Sequence, residues 1–404
     1  MSTSLLYHAF GVRGYEYRST EYTEDEVTMT IEQPRQALCC SRCGGRQVHA
    51  KGGVTREFRT LPIGGRPVRL RMTVPRVLCR TCFADRQVKL GFADAKKSYT
   101  RSFARYVIEL AAMMTLADVA RHLQISWDVV KGIVGEDLER RFSKPKLRSL
   151  KRVAIDEIYL GKKHKFLTIV MDLDRGAIVF VGDGKGEKSL EPFWKRLRHS
   201  RAKIAAVAAD LSPAYSAAIR RNLPQAKLVF DRFHLVKLLN EHLTDLRREL
   251  HREATDQLQK KVLKGTRWLL LKRSENLDPK RDERRRLKEA LKLNESLATA
   301  YYLKEDLQQI WQQPGKAAAR IVLDHWIDDA ESSGIQQLRK FARTLQIHRE
   351  GILNWYDHPI STGPLEGTNN KIKLLQRRSY GYRDLDFFKL KLFALHHSQH
   401  TLVG

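Results

Sequence analysis

Three acidic residues are candidates for a functional site, because two of them directly follow apolar segments that are expected to be buried. Asp156 and Asp210 each end a run of apolar residues, at 153–155 and 204–209, and Glu366 lies further along the chain. Burying a carboxylate costs free energy unless a partner or a metal ion compensates it. Each acid alone is more often a turn or capping residue, because Asp is common where strands end. Together, their oxygen atoms suit hard divalent cations such as magnesium.

The elements around the first two acids predict alternating strands and helices. The predicted elements are strands at 152–158, 165–173 and 176–182, a helix at 190–197, a strand at 204–209, a helix at 214–221 and a strand at 227–230. Asp156 and Asp210 would then lie at the ends of neighbouring strands. Glu157 would point to the opposite face, because side chains alternate along a strand.

A second set of metal-binding residues consists of four cysteines in two Cys-x-x-Cys pairs, Cys40 with Cys43 and Cys79 with Cys82. Each pair lets two thiolates hold one tetrahedral ion, so the two pairs predict one structural zinc site. Cys39 is left as a spare thiol, because four ligands close such a site. We expect reduced thiols rather than disulfides, since the N-terminus lacks the basic and long apolar regions of a secretory signal.

Two segments before residue 148 predict DNA-binding domains. Between the cysteine pairs, a Gly-Gly turn and alternating apolar and basic residues predict a hairpin ribbon. Downstream, a capping box at Thr115 predicts a short helix to Leu123, and Ser126 predicts the cap of a second helix through Ile133. This pattern is typical of a helix-turn-helix, although generic helix pairs share it. The predicted DNA contacts in these segments are Arg69, Arg71, Trp127 and Lys131.

A long charge-rich segment separates Asp210 from Glu366. Mixed charges at helical spacing predict helices from residue 237 to residue 356, with Leu and Trp side chains in their apolar centre. The charged faces are as compatible with solvent as with DNA or subunit contacts. Before this segment, Asp231 either caps the helix that follows it or, with His234, supports the acids or faces DNA.

After Glu366 the charge becomes one-sided. Basic residues are interleaved with tyrosines from residue 371 to residue 383, which is typical of a surface that contacts phosphates and bases, although a soluble basic helix has a similar pattern. Apolar residues from Phe387 to Leu395 predict a C-terminal helix that covers the sheet of the acids. The predicted DNA contacts here are Asn369, Asn370, Lys371, Lys373, Arg377, Arg378, Tyr380 and Arg383.

The net charge favours a polyanionic partner. The 404 residues include 74 Lys and Arg against 46 Asp and Glu, a formal net charge of +28. Such an excess favours nucleic-acid binding through counterion release, although ribosome-associated and membrane-surface proteins can be equally basic. No apolar run approaches the ~20 residues that span a bilayer, so we expect a cytoplasmic protein with no membrane partner.

The chain resembles the DDE transposases of the ISL3 family of bacterial insertion sequences. The resemblance extends over almost the whole chain, and its last block is the most specific. The blocks are 155–157 with 160–168, then 210–215, then 230–234, and finally 366–383, which contains Gly367-Thr368-Asn369-Asn370. Leu211 stands where the family usually has Met, which is an exchange between apolar residues.

The pattern and the resemblance together predict a multidomain α+β protein. The predicted domains are a zinc ribbon (1–95), a helix-turn-helix domain (96–148), a ribonuclease H-like α/β catalytic core in two parts (149–236 and 357–404) and an all-α insertion (237–356). The resemblance implies that Asp156 contacts two magnesium or manganese ions, with Asp210 and Glu366 each holding one. Two such cations suit in-line displacement at phosphorus, because they activate the attacking hydroxyl and stabilise the leaving oxygen.

The sequence therefore predicts a transposase that acts on double-stranded DNA. It would bind the terminal inverted repeats of its element, cleave the DNA and join the 3′ ends to target DNA. The need to bring two ends together predicts a homodimer, located in the bacterial cytoplasm in association with the nucleoid. Two alternatives remain open: a ribonuclease H-like nuclease without strand transfer, and a zinc-containing sequence-specific regulator without nuclease activity.

Overall fold

The chain forms two compact units, which are described separately. The computed structural model describes residues 4–161 and 166–396. One unit takes in the chain up to Ser143 and again from Arg378 onward, and the other spans Lys144–Arg377. Residues 162–165 of the block at 160–168 lie outside the described residues. In the described part of the chain, none of the helices combines the length and apolar character that a membrane span requires.

The N-terminal part of the first unit is a five-stranded sheet. Its elements are α1 (Leu5–Phe10), β1 (Glu16–Tyr22), β2 (Val27–Glu32), β3 (Val48–Ile63), β4 (Arg66–Cys79) and β5 (Asp85–Gln87), in the order β1-β2-β4-β3 with β5 paired to β4. The predicted hairpin ribbon is confirmed: β3 and β4 turn at Gly64-Gly65, where both φ angles are positive and glycine carries no steric cost. Val68 and Leu70 are fully buried, and Arg69 and Arg71 alternate with them.

Three helices follow in the first unit. They are α2 (Arg101–Met113), α3 (Leu116–Leu123) and α4 (Trp127–Phe142). The side chains of Thr115 and Ser126 accept backbone N–H groups at the starts of α3 and α4, as the capping pattern predicts. The second helix continues beyond its predicted end at Ile133, because Val134 and Leu138 extend its buried face.

The second unit is built on a mixed five-stranded sheet. Its elements are β6 (Arg152–Tyr159), β7 (Phe166–Asp172), β8 (Ala177–Asp183), α5 (Glu187–Ser200), β9 (Ala206–Ala209), α6 (Pro213–Asn222) and β10 (Lys227–Phe230). The order is β10-β9-β6-β7-β8, with β6, β9 and β10 parallel and β7 antiparallel to both neighbours. The succession of strands and helices is as predicted. Phe193, Trp194 and Tyr215 bring α5 and α6 into the core of this sheet.

The elements described from Arg232 to Tyr356 are helices. They are α7 (Arg232–Glu253), α8 (Gln257–Gly265), α9 (Arg267–Leu271), α10 (Glu283–Lys292), α11 (Glu295–Asp306), α12 (Lys316–Ser332) and α13 (Gln336–Leu353), with short 3-10 turns at Ser274–Asn276, Pro279–Arg281, Leu307–Trp311 and Asn354–Tyr356. Asp231 caps α7 by accepting the backbone N–H of Phe233, which confirms one of its two predicted roles. Trp311 and Trp326 lie in the common core, as predicted.

Two helices complete the described chain, α14 (Gly363–Arg378) and α15 (Leu385–Ala394). Glu366 lies in the first turn of α14. In the first unit, Phe387 of α15 joins the apolar core that α2, α3 and α4 form. That α15 covers the sheet that carries Asp156 and Asp210 stays a prediction.

Candidate active site

Asp156 lies inside a strand rather than at its end. β6 pairs with β7 over its whole length, with Asp156 opposite Ile169 and Tyr159 opposite Phe166. The predicted strand at 152–158 is confirmed, but the expectation that Asp156 lies at its end was wrong. The apolar run does stop there, but the backbone of β7 continues to pair with β6 beyond it, and ladder hydrogen bonds do not depend on apolar side chains. Asp156 is partly buried.

Asp210 follows β9 directly, on the strand next to that of Asp156. β6 and β9 are parallel neighbours whose last pair is Ala154 with Ala208, two residues before each acid. Residues two apart on a strand share a face, which directs both carboxylates to the same side of the sheet. The Oδ1 of Asp210 accepts the backbone N–H of Ser212 at 3.0 Å, in the turn that leads into α6.

Asp156 is desolvated and close to other charged groups. Burial raises the pKa of Asp156, while a hydrogen bond from the backbone N–H of Glu157 and the charge of His234 lower it. The negative charges of Asp210 and Glu157 raise this pKa further. A divalent cation would offset both the burial and the repulsion, so these electrostatics fit a pair of metal-binding carboxylates.

Glu366 is exposed to solvent at the start of α14. The carbonyl of Thr362 accepts the backbone N–H groups of Leu365 and Glu366, both at 2.9 Å, and so begins the helix. One turn later Asn369 is only 7% exposed, and its Nδ2 donates to Oδ2 of Asp156 at 2.9 Å. Residues three apart share a helix face, so Glu366 lies on the side of α14 that meets Asp156.

The three carboxylates are not drawn together to coordination distance. In the described part of the chain, four cysteines are the only group of three or more His, Cys, Asp or Glu residues whose ligand atoms all lie within 4.8 Å of one another. The donors nevertheless fit a hard cation, because the carboxylate of Asp210 is close enough for its charge to raise the pKa of Asp156, and carboxylate oxygens are preferred ligands of such ions. Beside them the Oδ1 of Asn369 is buried and has no hydrogen-bond partner among the described residues. Such an oxygen could accept a hydrogen bond from a cation-bound water.

Glu157 faces away from the acids, as the alternation of side chains predicts, and has partners there. Tyr215 of α6 donates its hydroxyl to Oε1 of Glu157 at 2.6 Å, and the backbone N–H of Gly186 donates to the same oxygen at 3.2 Å. The hydroxyl of Thr168 on β7 lies 3.0 Å from that of Tyr215. This network joins the segments that follow the first two acids. Sequence reasoning missed it, although Tyr215 ends the block 210–215.

The four predicted zinc ligands form one cluster. The Sγ atoms of Cys40 and Cys82 are 3.5 Å apart, those of Cys43 and Cys79 are 3.6 Å apart, and all four lie within 4.8 Å of one another. Four zinc–sulfur bonds of ~2.3 Å in a tetrahedron put the sulfur atoms ~3.8 Å apart, so the cluster fits a zinc ion. The cysteines are free rather than paired in disulfides, and Cys39 is not part of the cluster.

Backbone donors in the turns of the cluster favour thiolates. The N–H of Cys82 lowers the pKa of Cys79 to about 6 in spite of burial, and the N–H of Thr81 acts in the same direction. The N–H groups of Cys43 and Arg42 lower the pKa of Cys40. Because the thiolate is the form that binds metal, these turns prepare Cys40 and Cys79 for a structural zinc ion. Cys43 differs: the N–H of Gly45 lowers its pKa, but hydrogen bonds with Cys82 and Cys79 outweigh this and raise the pKa to about 12.

Three of the four residues predicted to contact DNA in the first half of the chain form ion pairs with carboxylates. The pairs are Arg69 with Glu26 at 2.8 Å, Arg71 with Glu57 at 2.9 Å and Lys131 with Asp384 at 2.7 Å. Trp127, at the start of α4, is instead 46% exposed. The sequence could not reveal these ion pairs, because the partners come from different elements.

The DNA contacts predicted after Glu366 are mostly exposed. The exposed members are Asn370, Lys371, Lys373, Arg377, Tyr380 and Arg383. Tyr380 is fully exposed and has a positive φ of 50°. Arg378 differs, since its Nη2 donates to the carbonyl of Met113 at 2.8 Å, and Asn369 is buried against Asp156.

Three family models match the chain, in the same order as the predicted domains. The model of an ISL3-type transposase matches residues 153–392, which is more than half of the chain and includes the three acids. A model described as the zinc-finger of transposase IS204/IS1001/IS1096/IS1165 matches residues 36–82, which hold the cysteine cluster. A helix-turn-helix domain of transposase family ISL3 matches residues 88–134, which include α2 and α3.

Similar proteins of known identity are transposases. The transposase for insertion sequence element IS1001 of Bordetella parapertussis is 32% identical over 392 residues, which cover 95% of this chain and 96% of that protein. The transposase for IS1557 of Mycobacterium tuberculosis is 30% identical over 419 residues, covering 95% and 93%. A solved structure, the Drosophila P element transposase strand transfer complex, aligns with a TM-score of 0.41 and 12% identity, covering 74% of this chain and 92% of that one. The chain therefore belongs to the ISL3 family of transposases.

Proposed function

We propose that the protein binds the terminal inverted repeats of its own insertion sequence, cleaves DNA by metal-assisted hydrolysis and joins the 3′ ends to target DNA. The observation that carries this proposal is the parallel pairing of β6 with β9, which ends two residues before Asp156 and Asp210, together with the hydrogen bond from Asn369 to Asp156. That bond holds the helix of Glu366 against Asp156. The arrangement supports a site to which acids from three distant segments contribute.

The catalytic core is of the ribonuclease H-like type, in two parts at 149–236 and 357–404. Support comes from the sheet, in which the antiparallel run β6-β7-β8 is extended on the other side of β6 by the parallel strands β9 and β10. Residues 237–356 form an all-α insertion. A separate apolar core that includes Trp311 and Trp326 supports this division.

Asp156, Asp210 and Glu366 would hold two divalent cations, magnesium or manganese. Such ions would activate the attacking hydroxyl and stabilise the leaving oxygen in an in-line displacement at phosphorus. By the resemblance to the family, Asp156 would be shared between the ions, and Asp210 and Glu366 would each hold one. Asn369 holds Asp156 through its Nδ2 and offers its buried Oδ1 to a cation-bound water. Asn370, the next residue on α14, is exposed and would contact the scissile phosphate.

Glu366 completes the site when cations and DNA bind. Its side chain is exposed on the first turn of α14, so it reaches the ions by changing rotamer while the helix stays folded. Catalytic contacts are commonly long in a free protein and tighten in the substrate complex. The cations also offset the repulsion that otherwise keeps the carboxylates apart.

DNA is bound by the zinc ribbon, the helix-turn-helix and the basic surface after Glu366. Trp127 is exposed at the N-terminal end of α4, the end that contacts bases when such a helix enters the major groove. Tyr380 offers a ring for base stacking. Arg69, Arg71 and Lys131 contribute less, because each would have to exchange a carboxylate for a phosphate. The exposed phosphate contacts are Lys371, Lys373, Arg377 and Arg383.

The active assembly is a homodimer. Each subunit carries DNA-binding domains and a catalytic site, so two subunits suffice to bring two element ends together. Inverted repeats at those ends match the two-fold axis of such a dimer.

Asp156→Asn, compared with Asp174→Asn, tests this function. Asp174 lies at the turn between β7 and β8 and accepts from Nε of Arg152 at 2.7 Å, so its variant removes a carboxylate from the same sheet but not from the site. We expect Asp156→Asn to bind DNA carrying the element ends and to yield no product in magnesium, while Asp174→Asn cleaves like the parent. Products are sequenced at their ends.

The remaining outcomes separate the alternatives. Full cleavage by Asp156→Asn contradicts the catalytic assignment. Cut ends that are never joined identify a nuclease. Binding by the unsubstituted protein without any product identifies a zinc-containing regulator.

A further inference from the structure

Asp231 is a buried carboxylate whose two oxygens both accept hydrogen bonds. It follows β10 directly and is only 5% exposed. Its Oδ1 accepts the backbone N–H of Phe233 at 2.9 Å, which caps α7. Its Oδ2 accepts the backbone N–H of Thr362 at 2.9 Å and also the hydroxyl of Thr362. The cap of α7 uses Oδ1, whereas Oδ2 accepts from Thr362, which lies 131 residues further along the chain.

Thr362 is also hydrogen-bonded to the backbone of Glu366. Thr362 is only 3% exposed, and its carbonyl accepts the backbone N–H groups of Leu365 and Glu366 at 2.9 Å. It therefore starts α14. A continuous set of hydrogen bonds runs from the carboxylate of Asp231 through Thr362 to the backbone of Glu366.

The other end of this connection is fixed beside Asp210. β10 and β9 are parallel, with Phe230 paired to Ala209, and the backbone N–H of Asp231 donates to the carbonyl of Ala209 at 3.3 Å. The residue after Ala209 is Asp210. Asp231 therefore occupies the strand position next to Asp210, one strand further toward the edge of the sheet.

β10 packs closely against α13 and is hydrogen-bonded to the residue that follows this helix. A Cβ added to Gly351 would lie 2.4 Å from ring atoms of Phe230, so the helix touches the strand directly. Asn354, just after α13, donates its Nδ2 to the carbonyl of Leu228 at 3.0 Å. The strand that carries Asp231 is thus a rigid base for a connection to α14.

We propose that Asp231 and Thr362 form a clamp that sets the position of Glu366 relative to Asp156 and Asp210. Asp231 is a positioning residue rather than a metal ligand, because both of its oxygens are occupied by hydrogen-bond donors. The clamp rests on the proposed function, since it matters for metal binding only if Glu366 is a ligand. Partners that orient a ligand without touching the metal commonly change metal affinity or activity by about 10- to 100-fold when they are removed.

Thr362→Val tests the clamp without disturbing the cap of α7. Valine has nearly the shape of threonine, and it removes the hydroxyl donor while the backbone N–H remains. Thr362→Ser restores the hydroxyl. Thr244→Val is the matched control, because the hydroxyl of Thr244 donates to the carbonyl of Asn240 within α7, in the helical segment rather than at the clamp.

The first measurement is hydrogen exchange in the full chain without metal. We expect the amides of Leu365 and Glu366 to exchange about tenfold faster in Thr362→Val, and at the parent rate in Thr362→Ser and Thr244→Val. Unchanged exchange in Thr362→Val overturns the clamp. Faster exchange that serine does not restore also overturns it, because packing of the methyl groups would then be the cause.

The second measurement is the magnesium dependence of cleavage. We expect the half-saturating magnesium concentration to rise about tenfold in Thr362→Val, while the rate at saturating magnesium and DNA binding stay at parent values. The melting temperature should fall by a few degrees, because the buried carboxylate of Asp231 loses a donor. A lower maximal rate with unchanged magnesium dependence contradicts a positioning role. If the unsubstituted protein cleaves no DNA, the proposed function fails, and the exchange measurement alone then decides the clamp.

Discussion

The cysteine cluster and the three acids are both proposed metal-binding sets, but they are organised differently. The four sulfur atoms already lie within 4.8 Å of one another. Each Cys-x-x-Cys pair is fixed by its own turn, in which a backbone N–H, that of Arg42 or Thr81, points at a sulfur at 3.4 Å. The acids come instead from a strand, a strand end and a helix, and they remain apart. The four thiols are therefore positioned by two local turns, whereas the acids depend on tertiary structure, and in the proposed function Glu366 closes over the substrate.

Removing a cluster cysteine should have the largest effect on folding. We expect Cys79→Ser to lose zinc, to unfold the ribbon and to abolish binding to element ends, because structural zinc contributes about 10–16 kcal/mol to such small sites. Zinc content and the circular dichroism of the ribbon measure this. Cys39→Ser is the control and should keep one zinc per chain. A ribbon that stays folded without zinc would break the comparison.

Glu366→Gln should affect catalysis and leave folding almost unchanged. Glu366 is exposed, so the free energy of unfolding is expected to stay within about 0.5 kcal/mol of the parent value. Cleavage is expected to fall by about 100-fold or more, since a charge that stabilises the transition state is lost. Single-turnover cleavage and thermal melting separate the two effects. A large loss of stability would show that the third acid is a structural residue after all.

Gly351→Ala tests whether the edge of the sheet is as rigid as the close approach of α13 indicates. A methyl group 2.4 Å from the ring of Phe230 forces the helix and strand apart, at a cost of about 1–3 kcal/mol. Gly132→Ala on α4 is the matched control. No atom lies within 4 Å of its added Cβ, so helix propensity should stabilise the protein by up to about 1 kcal/mol. Urea unfolding of both variants checks the difference, and equal effects would contradict it.

Asp156→Asn should have a small effect on the stability of the metal-free protein, and in the favourable direction. Burial raises the pKa of Asp156, so its ionised form costs the metal-free protein stability, and this cost appears as pH rises from the unfolded pKa through the folded one. The variant is therefore expected to be more stable at neutral pH by about 0.5–2 kcal/mol. Acidification should remove the difference. Melting temperatures measured across pH without metal check this, and a less stable variant at neutral pH contradicts it.

The sequence predicted those features that depend on local pattern. The strands around Asp156 and Asp210 follow from apolar runs, the caps of α3 and α4 from Thr115 and Ser126, and the zinc ligands from their spacing. Each of these signals lies within a few residues of the element that it predicts. The alternation of side chains also placed Glu157 on the face away from the acids.

Long-range side-chain partners could not be predicted from one sequence. The bond of Tyr215 to Glu157 joins residues 58 positions apart, and that of Thr362 to Asp231 joins residues 131 apart. No local pattern reports such a pair. The ion pair of Lys131 with Asp384 was missed for the same reason, and the DNA contact predicted for Lys131 stays a prediction.

The bond between Asp231 and Thr362 also has a consequence for how the chain can change in evolution. It fastens the entry and the exit of the helical segment to each other, at the point where that segment leaves and rejoins the sheet. Segments whose two ends meet tolerate insertions and deletions well, because changes in their interior do not alter the spacing of the ends. Helices from α8 to α12 can therefore lengthen, shorten or acquire new surfaces while the three acids keep their places.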